Sequence, residues 1–165
     1  MNRNLIFVLA AAIILLDQWT KSIVSHTFIV SESRTVLSGF FDLTYVQNRG
    51  GAFGIMQGSG LGLIAAGVAV AIAIVVSIFR GPAKLQSLIG VGMALPLGGT
   101  IGNMIDRARL GYVVDFFDVY VGSHHWPVFN IADSAICVGV GLIALWILRR
   151  PEPSLDTSSA TKTEG

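Results

Sequence analysis

Leu61-Gly-Leu-Ile-Ala-Ala-Gly-Val-Ala-Val-Ala-Ile-Ala-Ile-Val-Val-Ser-Ile-Phe79 contains no charged residue. A bilayer core asks for about 20 mostly apolar residues per helix, and at about 1.5 Å of rise per residue this stretch crosses it. Three further stretches of that kind lie around it. Leu85 to Ile105 is also free of charge and follows the short turn Arg80-Gly81-Pro82-Ala83-Lys84. Leu5 to about Val24 is apolar through Leu16 and then meets Asp17-Gln18-Trp19-Thr20-Lys21, and Ile131 to Leu148 closes the set. The whole composition agrees: of 165 residues 53% are hydrophobic and 13% charged, against roughly a quarter charged in a soluble domain. Mean hydropathy is +0.69. A net charge of +1 leaves no surplus for holding a phosphate backbone, so nucleic acid is not an expected partner.

The sequence predicts an all-α membrane protein of one domain, residues 1–150, with spans at about 5–24, 61–79, 85–105 and 131–148. The tail 151–165 is Ser/Thr/Pro-rich without apolar period and reads as disordered. No small-x-small cleavage site follows Leu16, so the first span is expected to be retained rather than removed as a signal peptide. Four spans put both termini on one side. Arg3, Arg80, Lys84, Arg149 and Arg150 gather there, which makes that side cytoplasmic by the positive-inside rule. Lys21, Arg34, Arg49, Arg107 and Arg109 count against the rule, but Lys21 and Arg107 sit at span ends among other polar residues and are expected to be functional. Two loops then face outward. Thr35-Val36-Leu37, Phe40 to Val46 and Tyr112 to Val121 are rich in β-branched and aromatic residues, so a small extracytoplasmic β element is expected, with Gly50, Gly51 and Gly54 turning the chain.

Ionisable groups at membrane depth are costly and tend to line sites or pathways. Here they collect at the outward ends of three spans: Asp17 and Lys21, then Asn103, Asp106 and Arg107, then Asn130 and Asp133. Asp17 and Lys21 are four apart and can pair on one helix face. Asn130 suits a helix N-cap; Asp133, within the first turn, turns a carboxyl toward protein or water. Asp115 and Asp118 share one predicted strand at an odd separation, which places them on opposite faces. One of them at most faces a common site, and alternation does not say which.

The single cysteine, Cys137, lies in an apolar run and is read as a small packing residue; it permits neither an intramolecular disulfide nor a cysteine zinc site. His124-His125 has no second histidine pair or His-Glu-x-x-His motif to complete a metal shell, so no metal and no cofactor are expected. Trp19 and Trp126 read as interfacial anchors, Gly98-x-x-x-Gly102 as a close helix contact, and Pro96 as a kink. Carboxylates remain as the reactive groups. Two brought close share a proton and can act as base toward water and acid toward a peptide group. The competing class is a small transporter or proton pathway. That reading would want polar residues along the middle of several spans, and Leu61 to Phe79 has none.

Four blocks, Asn48-Arg49-Gly50-Gly51-Ala52-Phe53-Gly54, Gly98-Gly99-Thr100-Ile101-Gly102-Asn103-Met104-Ile105-Asp106-Arg107, Val113-Val114-Asp115-Phe116 and Phe129-Asn130-Ile131-Ala132-Asp133-Ser134, together resemble the lipoprotein signal peptidase (signal peptidase II) family. Their order and spacing agree, as does Asp17-Gln18-x-x-Lys21, so the resemblance runs to about Arg150. Members usually carry Ala where Gly51 stands. The resemblance implies a monomeric, multi-pass aspartyl protease of the bacterial inner membrane, active near its extracytoplasmic face among membrane lipids. It would remove signal peptides from prolipoproteins by cutting before a diacylglyceryl-modified cysteine. It also implies Asp115 and Asp133 as the catalytic pair, with Asp17, Lys21, Asn48, Gly51, Asn103, Arg107 and Asn130 lining or supporting the site. Asp133, in the first turn of a helix where the dipole favours an anion, is expected to be the base.

Overall fold

The computed structural model describes residues 1–50, 60–82 and 85–149. Four long apolar helices carry the chain: α1 (Arg3–Thr27), α2 (Gly60–Arg80), α3 (Ser87–Leu110) and α4 (Ile131–Leu148). Each is long and apolar enough to cross a membrane. The helices outrun the expected apolar stretches at both ends of α1 and at the far end of α3. Hydropathy marks where charge begins, whereas a helix continues until its last carbonyls find another partner.

α3 is the central post and packs against α1, α2 and α4. Its glycines make this possible. A Cβ on Gly98 would stand 2.7 Å from the Ala10 carbonyl oxygen of α1, and one on Gly99 would collide with the Ala132 backbone of α4. The Gly98-x-x-x-Gly102 motif is thus a close contact with α1, as expected. α3 runs unbroken through Pro96, whose ring lies against Gly139 of α4. α2 sits at the edge of the bundle: 6% of its span is buried, against 61% for α3. Cys137 is exposed on the outer face of α4 rather than packed inside; an apolar run in a membrane helix does not distinguish a lipid-facing position from a core one.

The loops at one end of the bundle form an antiparallel sheet in the order β1 (Ser33–Leu37), β2 (Phe41–Asn48), β3 (Val113–Val121), β4 (His124–His125). The expected strands are present, and the two loops pair with each other through β2 and β3. Val24 at the end of α1 packs under this sheet with Tyr45, Val114 and Phe116. At the other end of the bundle, Ile6, Ala10, Ile78, Ala94 and Leu97 form a second apolar cluster. There Arg3 donates to the carbonyls of Phe79 and Gly81 and so holds the end of α2.

Candidate active site

One face of α1 buries Ile6, Ala10, Asp17, Lys21 and Val24, a spacing that keeps a single helical stripe turned inward. The stripe begins in one apolar cluster and ends in the other. Between them it is ionic. Lys21 Nζ lies 2.9 Å from Asp17 Oδ2 and 3.0 Å from Asp106 Oδ2, and donates to Asn103 Oδ1 at 2.8 Å. An ammonium has three protons, and all three are used. Gln18 Nε2 donates to Asp106 Oδ1 at 2.8 Å and to the Gly102 carbonyl at 3.2 Å. A side chain on Gly102 would stand 2.6 Å from Asp17 Oδ2, so only glycine leaves room for the pair.

Gly111 ends α3 at φ +77, a conformation that costs glycine little, and turns the chain into β3. This delivers Asp115, 2% exposed, beside Val46 of β2. Its carboxyl accepts from Asn48 Nδ2 at 3.0 Å and from Asn130 Nδ2 at 2.6 Å. Asn130 is also the N-cap of α4. Its Oδ1 accepts from the Asp133 N–H at 2.9 Å while its own N–H donates to Asp133 Oδ2 at 3.2 Å, a reciprocal capping box. Asp133 Oδ1 accepts from Asn103 Nδ2 at 2.8 Å. One residue therefore touches both carboxylates. Burial pushes the Asp115 carboxyl up to about 7, and the charge of Asp133 pushes the same way, against the Asn48 and Asn130 amides and the Lys21 charge. Arg107 donates to the Gly50 carbonyl at 3.2 Å, tying α3 to the end of β2, with its charge within reach of both aspartates.

Asp17, Lys21, Asn48, Asn103, Arg107, Asn130, Asp115 and Asp133 thus fall in one contiguous network, while Gly51 lies outside the described residues. Asp118 turns away. It accepts from Thr44 Oγ1 at 2.9 Å and pairs with His125 Nδ1 at 2.8 Å. His125 in turn stacks on Tyr120. Asp106, which the sequence grouped with the polar set without a role of its own, belongs to the network too, and so does Gln18, which sequence reasoning left unassigned. Asp106 Oδ2 accepts from the Val114 N–H at 3.1 Å and Asp17 Oδ1 from the Ala132 N–H at 3.0 Å. The one signal for both was an amide and a carboxylate at helix positions that otherwise favour apolar residues.

A network of amides and buried carboxylates at one end of three of the spans suits hydrolysis, and comparison with known proteins narrows it. The family model described as Signal peptidase (SPase) II matches residues 9–149. The chain belongs to the signal peptidase II family. The lipoprotein signal peptidase of Geobacter metallireducens is 41% identical over 150 residues, covering 90% of this chain and 93% of that protein. That of Halalkalibacterium halodurans is 41% identical over 143 residues, covering 87% and 91%. Signal peptidase II membership is matched by structural likeness. A bacterial membrane enzyme solved by the in meso method at 2.3 Å resolution superposes with a TM-score of 0.83 at 31% identity, covering 99% of this chain and 95% of its own. A second, solved by the same method at 1.9 Å, gives 0.81 at 32% identity, covering 90% and 96%.

Proposed function

We propose that this chain is a membrane aspartyl endopeptidase that removes signal peptides from prolipoproteins by cutting before a diacylglyceryl-modified cysteine. The observation that carries the reading is the joint hold of Asn130 on Asp115 and Asp133, which places a buried carboxyl within reach of the charge of a second one. Such a pair shares a proton. Asp133 accepts two N–H groups at a helix start, which favours its anion, and Asp115 is the member that burial keeps protonated. Asp133 deprotonates a water as it attacks the scissile carbonyl. Asp115 gives its proton to the carbonyl oxygen; on collapse of the resulting gem-diol the proton held by Asp133 passes to the leaving amine and a diol hydroxyl returns its proton to Asp115, so the pair is restored and no covalent enzyme intermediate forms. Asn48, Asn103 and Asn130 hold the pair, Arg107 lines the approach, and Asp17 and Lys21 support it from α1.

Position supports the rest of the assignment. Arg3, Arg80 and Arg149 lie at the bundle end opposite the sheet, which agrees with a cytoplasmic location for both termini and an extracytoplasmic site in the bacterial inner membrane. A transporter is disfavoured because the polar set stays at one end and α2 lacks it. The deciding experiment is a cleavage assay on a diacylglyceryl-modified precursor peptide and its unlipidated twin. Acyl chains held in the bilayer supply binding energy that positions the scissile bond. Cleavage of the lipidated peptide at the residue before cysteine, with little cutting of its twin, is expected. An intact lipidated peptide would sink the protease reading, and equal cleavage of both would sink the role of the lipid.

A further inference from the structure

Asn103 occupies an unusual place in the network. Its side chain is 6% exposed, and each end meets a charged group: Oδ1 accepts from Lys21 Nζ at 2.8 Å and from Asn130 Nδ2 at 3.2 Å, while Nδ2 donates to Asp133 Oδ1 at 2.8 Å. A carboxamide accepts at one end and donates at the other, whereas a lysine ammonium only donates. Turned end for end, Asn103 would set its NH2 against the ammonium and the Asn130 amide, and its oxygen against a carboxylate oxygen. Both contacts would be repulsive, and with Asn103 and Lys21 both buried, bulk solvent screens them little.

We propose that Lys21 is a positioning residue that locks the Asn103 carboxamide with its NH2 toward Asp133, and so makes Asp133 the ionised member of the pair. This rests on the protease reading above. The remaining two protons of Lys21 go to Asp17 and Asp106, so Asn103 is its route to Asp133. Those carboxylates extend the same device. Asp17 accepts from the N–H of Ala132, the residue before Asp133, and Asp106 accepts from the N–H of Val114, the residue before Asp115. Lys21 holds the two together. Its neutral removal would leave two buried carboxylates facing each other, a strongly destabilising change. The ionisable groups around this relay are Asp17 on α1, Asp106 and Arg107 on α3, Asp115 on β3 and Asp133 on α4.

The test follows kcat/KM against pH on the diacylglyceryl-modified peptide, for the full chain in lipid vesicles. Asn103→Leu removes the relay and keeps the Lys21 pairs with Asp17 and Asp106. Lys21→Met with Asp17→Asn removes the lock and leaves the summed charge of the Asp17, Lys21 and Asp106 cluster as it was. Each is expected to move the acidic limb upward by about one pH unit, a loss of about tenfold at pH values below the limb. Combining them should move it no further, because both act through one amide. An acidic limb that stays in place in the Lys21 variant, with only the amount of folded enzyme reduced, is the signature of a purely structural lysine and overturns the proposal. Should that variant not accumulate, Asn103→Leu decides: a shifted limb supports the relay and an unmoved one overturns it. A wild-type chain that leaves the peptide whole overturns the protease reading itself. A wild type that cuts, with unmoved limbs in the variants, overturns the Lys21 role alone.

Discussion

Asp115 and Asp118 stand three residues apart on β3 and are 2% and 6% exposed, so burial does not separate them. Their partners do. Asp115 meets two carboxamides and, across Asn130, a second carboxylate; Asp118 meets a hydroxyl and an imidazole that can neutralise it. A buried carboxyl held by a hydroxyl and an imidazole has no like charge beside it, whereas one confined with a like charge keeps a proton that it can give away. The difference between a reactive and an inert aspartate on this strand lies in which face of the sheet each one takes.

The comparison breaks most sharply on substitution. Asp115→Asn and Asp133→Asn should each lower turnover of the lipidated peptide by at least about a thousandfold, and the double variant should cost little more, since groups acting as a unit are not additive. A strongly further loss in the double variant would show that the two do not share a proton. Titration sharpens the contrast. The chemistry needs Asp115 protonated, and its carboxyl is pushed up to about 7, so activity should be present below that pH and fall about tenfold per unit above it. Folding stability should follow the same sign. Between about pH 4 and about pH 7 the folded chain keeps a proton that an unfolded aspartate has lost, so stability declines as pH rises through this window. Chemical denaturation in detergent at several pH values checks it.

Smaller effects belong to the other face. Asp118→Asn should leave turnover within about tenfold, provided that the variant reaches wild-type levels in the membrane; the His125 contact it weakens is half exposed. A dead Asp118→Asn beside an active Asp115→Asn would invert the assignment of faces. The smallest effect is expected from chelators. The proposed chemistry runs through carboxylates, and EDTA should leave the rate unchanged; loss of turnover restored by zinc would return attention to His124 and His125.

Much of this architecture was legible in one dimension. Four spans follow from hydropathy, because lipid rewards apolar length whatever the helices touch. Asp115 and Asp118 part company by strand alternation, although alternation alone left open which one faces the site. The resemblance to signal peptidase II chose between them. Less was legible where the meaning of a residue depends on a partner far along the chain. Gln18 reaches Asp106 across 88 positions and Asp17 reaches Ala132 across 115, and no local pattern announces such bonds. Cys137 failed for a related reason: in lipid, the outside of a helix is as apolar as its inside.

The capping box at the start of α4 gives Asp133 a second occupation, and the two aspartates should therefore trade durability for work in opposite directions. Above about pH 7, where Asp115 would ionise beside Asp133, neutralising Asp115 relieves a buried repulsion, so Asp115→Asn is expected to melt at a higher temperature than the active protein there. Asp133→Ala forfeits the bond to the Asn130 N–H that helps begin the helix, and should melt lower. Selection for robustness alone would accordingly discard the first aspartate and keep the second, and an unprimed screen for thermostable variants of this chain would recover substitutions at Asp115 among its inactive winners.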